Sequence, residues 1–281
     1  MRRVLIVVAC WAAAAGAASA QQRPLVTEDP ETIGAGRILI EAGFDAERDV
    51  LFPVSGLRGH RVAVPTLGIS IGLSSMAELQ IDGGFYQRLA VTERRLAPLS
   101  SLLDFTGDRT SDVQDIVIAT KVRFFTETDT RPALGLRIAT KLPNASNESG
   151  LGTDLTDFFA SLLLAKTIES VRFVGNAGLA IQGDPTSAIP EQNDLFTFGL
   201  SVARAITAAT EIVGEINGRL NLRNDAPDPG AENRSVMRLG GRYTRGAVRV
   251  DSAVLLGMTS RDPQVGVTAG VTWVFNAFQV P

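Results

Sequence analysis

The chain has 281 residues, of which 45% are hydrophobic, and 27 Lys and Arg residues against 30 Asp and Glu residues give a formal net charge of −3. A chain of this length forms one large domain or two ordinary ones. The small charge, with no block of Lys and Arg, excludes a protein that binds nucleic acid through a basic surface. The single histidine and single cysteine exclude a histidine-rich metal site and an internal disulfide.

The first twenty residues have the pattern of a secretory signal. Arg2 and Arg3 precede an apolar run over residues 4–18, and Ala18-Ser19-Ala20 resembles an A-x-A cleavage site, so we expect residues 1–20 to be removed. The alternatives are a membrane anchor, for which the run is short and Ala-rich, and a lipoprotein site at Cys10, which lies too close to Arg3. Removal of Cys10 would leave a mature chain without thiols.

The next segment, residues 21–35, is predicted to be an irregular periplasmic lead-in, because Pro24 and Pro30 interrupt it. Such a segment could fold into the mouth of a larger domain as a partial plug. Beyond it no apolar run approaches the roughly 20 residues of a membrane-spanning helix. An exported chain of this kind could therefore cross a membrane only as a closed β-barrel, in which every backbone polar group is paired.

Residues 36–275 carry apolar side chains at alternate positions, the period of a β-strand with two unlike faces. The pattern is clearest over residues 115–125, 133–142 and 211–222. The predicted strands are residues 36–44, 67–73, 78–89, 115–125, 133–142, 158–166, 172–182, 196–202, 211–222, 237–243, 248–258 and 265–275. Residues 276–281 form a short tail.

The connections between these strands alternate in length. The short ones start at Ser74, Glu127, Thr167, Thr207 and Thr244, and the long ones start at Asp45, Thr92, Asn144, Gly183 and Arg223. Bacterial outer-membrane barrels have an even number of strands, short periplasmic turns and longer outer loops. The sequence therefore predicts an all-β fold, a transmembrane antiparallel up-and-down β-barrel of about twelve strands.

Charged residues on the polar face of these strands must point inward, because a charge at the bilayer midplane costs about 2–4 kcal/mol. They could pair across the lumen as a structural ionic core, or line a wet path and select solutes. The later strands carry mainly Arg on this face, which would favour an anionic or polar-headed solute. The predicted lumen-lining residues are Glu41, Glu78, Asp82, Arg88, Asp115, Lys121, Arg123, Arg137, Lys141, Arg172, Glu211, Glu215, Arg219, Arg238, Arg242, Arg249 and Asp251.

One motif suggests catalysis, and its context argues against it. Residues 68–72 match the G-x-S-x-G nucleophile elbow, with Ser70 as the nucleophile and His60 as the only available base. That motif requires a strand-to-helix turn, whereas this stretch lies within an alternating strand. We therefore expect no catalytic residues, no metal and no cofactor.

Several stretches resemble the outer-membrane family of the MetA pathway of phenol degradation. They are Arg23-Pro24-Leu25-Val26-Thr27-Glu28-Asp29-Pro30 with Gly34 and Gly36, Pro132-Ala133-Leu134-Gly135-Leu136-Arg137 before Lys141-Leu142-Pro143, Leu151-Gly152-Thr153-Asp154 with Thr156-Asp157, and Gly270-Val271-Thr272-Trp273-Val274-Phe275. The resemblance implies an outer-membrane barrel that moves aromatic or other small organic compounds. It supplies no catalytic residues.

The expected function is a channel in the outer membrane of a Gram-negative cell that passes a small organic solute through a narrow, charged lumen. The expected partners are outer-membrane lipid, that solute and the barrel-insertion machinery, which would read the C-terminal strand at Phe275 or Phe278. The alternative is a structural or adhesion barrel whose lumen is closed by ion pairs.

Overall fold

The computed structural model describes residues 23–185, 191–223 and 226–279. The predicted signal peptide lies outside these residues. Fourteen strands form one sheet, together with a single 3-10 turn at Ser100–Leu102. No helix within the described ranges is long and apolar enough to span a membrane.

The strands follow the predicted order closely. Their bounds are β1 Arg37–Phe52, β2 Leu57–Gly72, β3 Ala77–Gly84, β4 Gln87–Arg94, β5 Arg109–Asp112, β6 Ile116–Phe125, β7 Ala133–Leu142, β8 Asp157–Ile168, β9 Val171–Gly183, β10 Gln192–Ala205, β11 Thr210–Asn221, β12 Arg234–Arg245, β13 Val248–Gly257 and β14 Val265–Asn276. However, β1 and β2 extend well into a predicted loop, the predicted strand over residues 78–89 is divided into β3 and β4, and β5 lies in another predicted loop.

Antiparallel pairing closes the sheet into a cylinder. Consecutive strands from β6 to β14 pair with each other, β14 pairs with β1, and β1 pairs with β2. β2 pairs with β3 along one half of its length and with β4 along the other half. β6 pairs with β3, and β5 pairs with β4, so that β5 and β6 together occupy the next strand position of the barrel. The fourteen segments thus make a closed antiparallel barrel of 12 strands, which confirms the predicted fold class.

The wall has an apolar outer face. Leu200 of β10 lies opposite Ile216 of β11, and Leu239 of β12 lies opposite Val254 of β13. These side chains are 54%, 38%, 55% and 46% exposed although they occupy the middle of their strands. A contiguous exposed apolar surface of this kind marks a face that contacts something other than water. In a closed barrel with polar residues inside, that contact is the hydrocarbon of a membrane.

The two ends of the barrel differ. What we name the short-turn end has the connections over residues 73–76, 126–132, 169–170, 206–209 and 246–247. The opposite end, which we name the long-loop end, has the connections over residues 53–56, 95–108, 143–156, 184–191, 222–233 and 258–264. In outer-membrane barrels these ends face the periplasm and the cell exterior, respectively.

The predicted loop at residues 45–61 is wrong. β1 continues through Phe52 and β2 begins at Leu57, so that only residues 53–56 form the turn. The sequence predicts a loop here because the side chains are mostly polar. However, where a strand extends beyond the apolar outer face, it can carry ion pairs on either face. Arg61 Nε lies 2.7 Å from Glu47 Oε2 in this hairpin, and irregularities in the β1–β2 register shift the alternation before Val50.

Candidate functional site

Residues 23–33, which we name the inner segment, lie inside the barrel. Arg23 Nη1 donates to Thr66 Oγ1 of β2 at 3.2 Å, and Arg23 Nη2 donates to Thr268 Oγ1 of β14 at 2.9 Å. Further along, the backbone N–H groups of Val26 and Thr27 donate to the Glu215 carboxylate of β11, at 3.0 and 2.8 Å. Contacts with strands from different sides of a closed cylinder require a segment that crosses its lumen.

The middle of the inner segment carries a carboxylate that meets two cations of the wall. Glu28 Oε2 lies 3.2 Å from Lys121 Nζ, and Glu28 Oε1 lies 3.0 Å from Arg137 Nε. Lys121 is fully buried and also lies 2.9 Å from Glu78 Oε1. The Glu28 backbone N–H donates to Asn176 Oδ1 at 2.7 Å. Charge-assisted bonds therefore attach this part of the segment to β6 and β7, and a neutral hydrogen bond attaches it to β9.

The last part of the inner segment is held at the short-turn end. Arg172 Nη2 donates to Asp29 Oδ1 at 2.7 Å, and Arg123 forms an ion pair with Glu31. The Ile33 backbone N–H then donates to Glu78 Oε2 at 2.8 Å. Each carboxylate of the segment thus faces an arginine or lysine of the wall, and the wall carboxylates accept from its backbone.

Glycines on the inner wall make room for the segment. A Cβ atom at Gly199 would lie 2.8 Å from Thr27 Oγ1, and one at Gly135 would lie 3.2 Å from the Pro30 Cβ. A Cβ atom at Gly43 or Gly270 would similarly meet the Arg23 guanidinium group, which would have to shift. The inner segment and the wall are therefore shaped to each other.

Apart from Arg88 and Arg219, the other predicted lumen charges have partners within the wall or in Arg23. Arg238 Nη1 lies 2.8 Å from Glu215 Oε1, Arg137 Nη2 lies 3.4 Å from Asp82 Oδ2, and Arg23 Nε lies 3.6 Å from Asp251 Oδ1. Thr272 Oγ1 donates to Glu41 Oε1 at 3.1 Å. Near the short-turn end, Glu211 Oε2 lies 3.8 Å from Arg242 Nη1 and 3.6 Å from Arg249 Nη2.

Above the inner segment lies a chamber of about 770 Å³. Val26, Thr27 and Glu28 form its floor, and residues of the 53–56, 143–156 and 222–233 loops border it at the long-loop end. Lys141 lines it and lies 2.8 Å from Asp157 Oδ2 and 3.3 Å from Asp115 Oδ2. The volume is in the range of pockets that hold small organic molecules.

The prediction that Arg88 lines the lumen needs correction. Phe85 and Tyr86 are both exposed, 71% and 43%, so the alternation of faces is broken between β3 and β4. Gln87 is buried and borders the chamber, whereas Arg88 is exposed, because adjacent residues of a strand point to opposite faces. Arg88 therefore lies on the outside of the wall, apart from the charges described above.

Sequence reasoning missed several charged residues of the lumen. Arg23, Glu28 and Asp29 belong to the lead-in, for which the sequence predicts a plug but not its ionic partners, and Arg61 and Arg234 fall in predicted loops. The three lead-in charges could have been found by comparing them with the inward charges of opposite sign on the predicted strands.

Nothing in the structure favours catalysis at the G-x-S-x-G match. Ser70 lies within β2, paired with Leu39 and Gln80, and not at a strand-to-helix turn. His60 lies ten residues earlier in the same strand, about 33 Å away at 3.3 Å per residue. Among the described residues, no group of three or more His, Cys, Asp or Glu side chains is placed to hold a metal ion.

Comparisons with known proteins identify the fold. No family model matches the chain, and no curated protein matches it. The solved structures include an outer membrane channel of the COG4313 group from Pseudomonas putida F1, with a TM-score of 0.61 and 12% identity over 88% of this chain and 98% of that one. The NanC porin matches with a TM-score of 0.52 and 9% identity, over 86% of this chain and 100% of that one. The chain therefore has the fold of an outer-membrane β-barrel.

Proposed function

We propose that this protein is an outer-membrane channel that passes a small organic solute, with the inner segment acting as a plug. The observation that carries the proposal is the chamber of about 770 Å³ between the long loops and the inner segment, lined by both charged and apolar side chains. A barrel filled only by its own side chains would have no reason to keep such a space, and 12 strands enclose more than side chains alone can fill.

Two further observations support passage through the lumen. The two solved structures with the same fold are described as a channel and a porin. The short stretches that resemble the phenol-degradation family point in the same direction and suggest an aromatic compound as the solute. We further propose that residues 1–20 direct export and that the C-terminal strand is recognised by the barrel-insertion machinery.

Removal of the plug tests the proposal directly. A variant lacking residues 21–33 should show a higher single-channel conductance in planar bilayers than the wild-type protein, because the chamber would then communicate with the short-turn end. Heat-modifiable migration and β-rich circular dichroism would establish that the variant is folded. Unchanged conductance in a folded variant would reject the plug.

One observation favours a structural or adhesion barrel instead. Ion pairs with the inner segment involve Lys121, Arg123, Arg137 and Arg172, so the lower lumen is filled by contacts that a purely structural ionic core would also contain. Liposome swelling separates the two functions. A channel admits solutes below a size limit, whereas a closed barrel admits none of a graded series.

A further inference from the structure

Two arginines of the chamber have no ion-pair partner among the described residues. Arg61, Arg137 and Lys141 also border the chamber, and each lies within 3.0 Å of a carboxylate. In contrast, Arg219 and Arg234 have no carboxylate oxygen within the 4.0 Å that defines an ion pair. An unpaired guanidinium in a partly buried site is costly unless something else neutralises it.

These two arginines are placed directly opposite each other. Arg219 of β11 and Arg234 of β12 are cross-strand partners, so their side chains leave the same face of the sheet. Like charges in this position destabilise a sheet. The chain nevertheless keeps both of them on the inner face, beside the chamber, which indicates a use for the combined charge.

The guanidinium groups are held in place by neutral acceptors. Arg219 Nε donates to the Glu232 carbonyl at 3.2 Å, and its Nη1 donates to Gln182 Oε1 at 3.1 Å. Arg234 Nη2 donates to the Leu51 carbonyl at 3.1 Å, whereas its buried Nε has no acceptor. Arginine has five N–H donors, so Arg234 keeps donors free while its position is fixed.

The neighbouring carboxylates are already engaged. Asp262 Oδ2 accepts from the backbone N–H groups of Ser235 and Thr259, both at 3.0 Å, and from the Thr259 hydroxyl at 2.7 Å. Glu232 Oε2 accepts from the Gly230 backbone N–H at 2.9 Å. Both groups therefore shape the loops, and neither forms an ion pair with Arg219 or Arg234 among the described residues.

Apolar side chains share the chamber with the arginine pair. Leu51, Phe159, Leu163 and Leu255 all border it. A molecule that fits this lining has a carboxylate for the guanidinium groups and an apolar body for the rest. Arginine forms bidentate, charge-assisted bonds with carboxylates, which supply orientation as well as affinity.

We propose that Arg219 and Arg234 form a binding subsite for the carboxylate of a small organic acid within the chamber. This inference rests on the proposed channel function and specifies the class of solute. It requires that an organic acid bind more tightly than a neutral molecule of the same shape.

Binding of benzoate and benzyl alcohol to the folded mature protein in detergent micelles, measured by calorimetry, tests the subsite. Benzoate should bind the wild type at least about tenfold more tightly, since a hydrogen bond to a charged group has roughly this effect. Arg234→Gln should remove the preference, and Arg234→Lys should restore it in part.

Arg223→Gln is the matched control, because Arg223 lies at the same end of the barrel, is 53% exposed and pairs with Asp228 at 3.6 Å. It should leave the benzoate preference unchanged. Equal affinity of the wild type for both probes, or an equal loss in the Arg223 and Arg234 variants, would overturn the subsite. Liposome swelling with the graded series, chosen from solutes that do not cross the lipid bilayer, reports passage separately, so swelling without a benzoate preference refutes the subsite alone. A preference for benzoate that depends on Arg234, in a protein that causes no liposome swelling, would refute the channel function and leave the subsite standing.

Discussion

Lys121 shows how this barrel treats charge at the level of single residues. It is fully buried, and its ammonium group lies between Glu78 at 2.9 Å and Glu28 at 3.2 Å. One partner belongs to the wall and the other to the inner segment. A lysine can remain charged in such a place only because both carboxylates compensate for its lost hydration.

Lys121→Met should therefore destabilise the barrel by roughly 3–5 kcal/mol, because it leaves two buried carboxylates without their cation. Urea unfolding of the refolded protein, followed by circular dichroism, measures the loss. The double variant Lys121→Met/Glu78→Gln should recover part of it, since fewer uncompensated charges remain. Equal stability of Lys121→Met and the wild type would contradict this account.

Glu127, in the turn between β6 and β7, predicts a pH dependence. Partial burial acts to raise its pKa, but the Thr167 backbone N–H at 2.7 Å, the Thr167 hydroxyl, Lys166 and Arg172 together hold the pKa below the ordinary value. A depressed pKa in the folded state means that the carboxylate stabilises the barrel above its unfolded pKa, near 4.3. This contribution is lost as the pH falls through the lower, folded pKa.

Glu127→Gln should accordingly lose up to about 1 kcal/mol of stability at pH 7, the range of partly exposed ion pairs, and little at pH 3. Unfolding midpoints of both proteins at the two pH values provide the measurement. A difference between wild type and variant that is as large at pH 3 as at pH 7 would show that the charge of Glu127 is not responsible.

At the scale of elements, the inner segment and the wall depend on each other. The segment has no strand or helix of its own, and its backbone N–H groups find acceptors on wall side chains such as Glu215, Asn176 and Glu78. The wall in turn has glycine where the segment passes closest, as at Gly199 and Gly135. Small residues on the lumen face thus reflect the space that the segment occupies.

Gly199→Val should push the inner segment away from β10 and, if the proposed channel function holds, raise the conductance, because its Cβ would lie 2.8 Å from Thr27 Oγ1. Single-channel recording measures the effect. Gly175→Val is the control, since Gly175 belongs to the adjacent strand and an added Cβ meets no atom within 4 Å. If both variants conduct like the wild type, the contact at Gly199 does not hold the plug in place.

The whole molecule has the reverse of the usual polarity of a water-soluble fold. Side chains such as Leu162, Leu179 and Ile212 are 56%, 55% and 59% exposed, whereas Lys121, Glu78 and Thr272 are fully buried. A hydrocarbon environment explains both halves of this pattern, because it accepts the apolar outer face and forces charge to the inside.

Leu200→Arg should therefore cost about 2–4 kcal/mol of stability, the range for an arginine at the bilayer midplane. Val248→Arg, at the short-turn end of β13, should cost about 0–1 kcal/mol because a charge there reaches the interface. Unfolding from lipid vesicles compares the two. Equal costs at both positions would argue against a membrane around the wall.

Much of the barrel could be predicted because each wall strand has two unlike environments. β7 was predicted to its exact bounds, and β11 and β14 to within one residue at each end. The sequence predicts the lower part of the β1–β2 hairpin, but it predicts a loop in place of the upper part, which is polar on both faces. The predicted position of Arg88 is wrong because the irregularity at Phe85 and Tyr86 exchanges the inner and outer faces of the strand. A break of two residues does not interrupt the alternation of side chains in the sequence, so the pattern does not reveal it.

The amino-acid sequence by itself determined that the strands alternate, that their number is even and that charge faces inward, because these properties depend on neighbours two residues apart. Only the tertiary structure decided which charges meet. The pairing of Glu28 with Lys121 and of Asp29 with Arg172 depends on how an irregular segment crosses a closed cylinder. Within the described residues, the absence of an ion pair for Arg219 and Arg234 depends likewise on how the loops fold over the barrel. Closure brings together residues that are far apart in the chain, and no local pattern encodes that geometry.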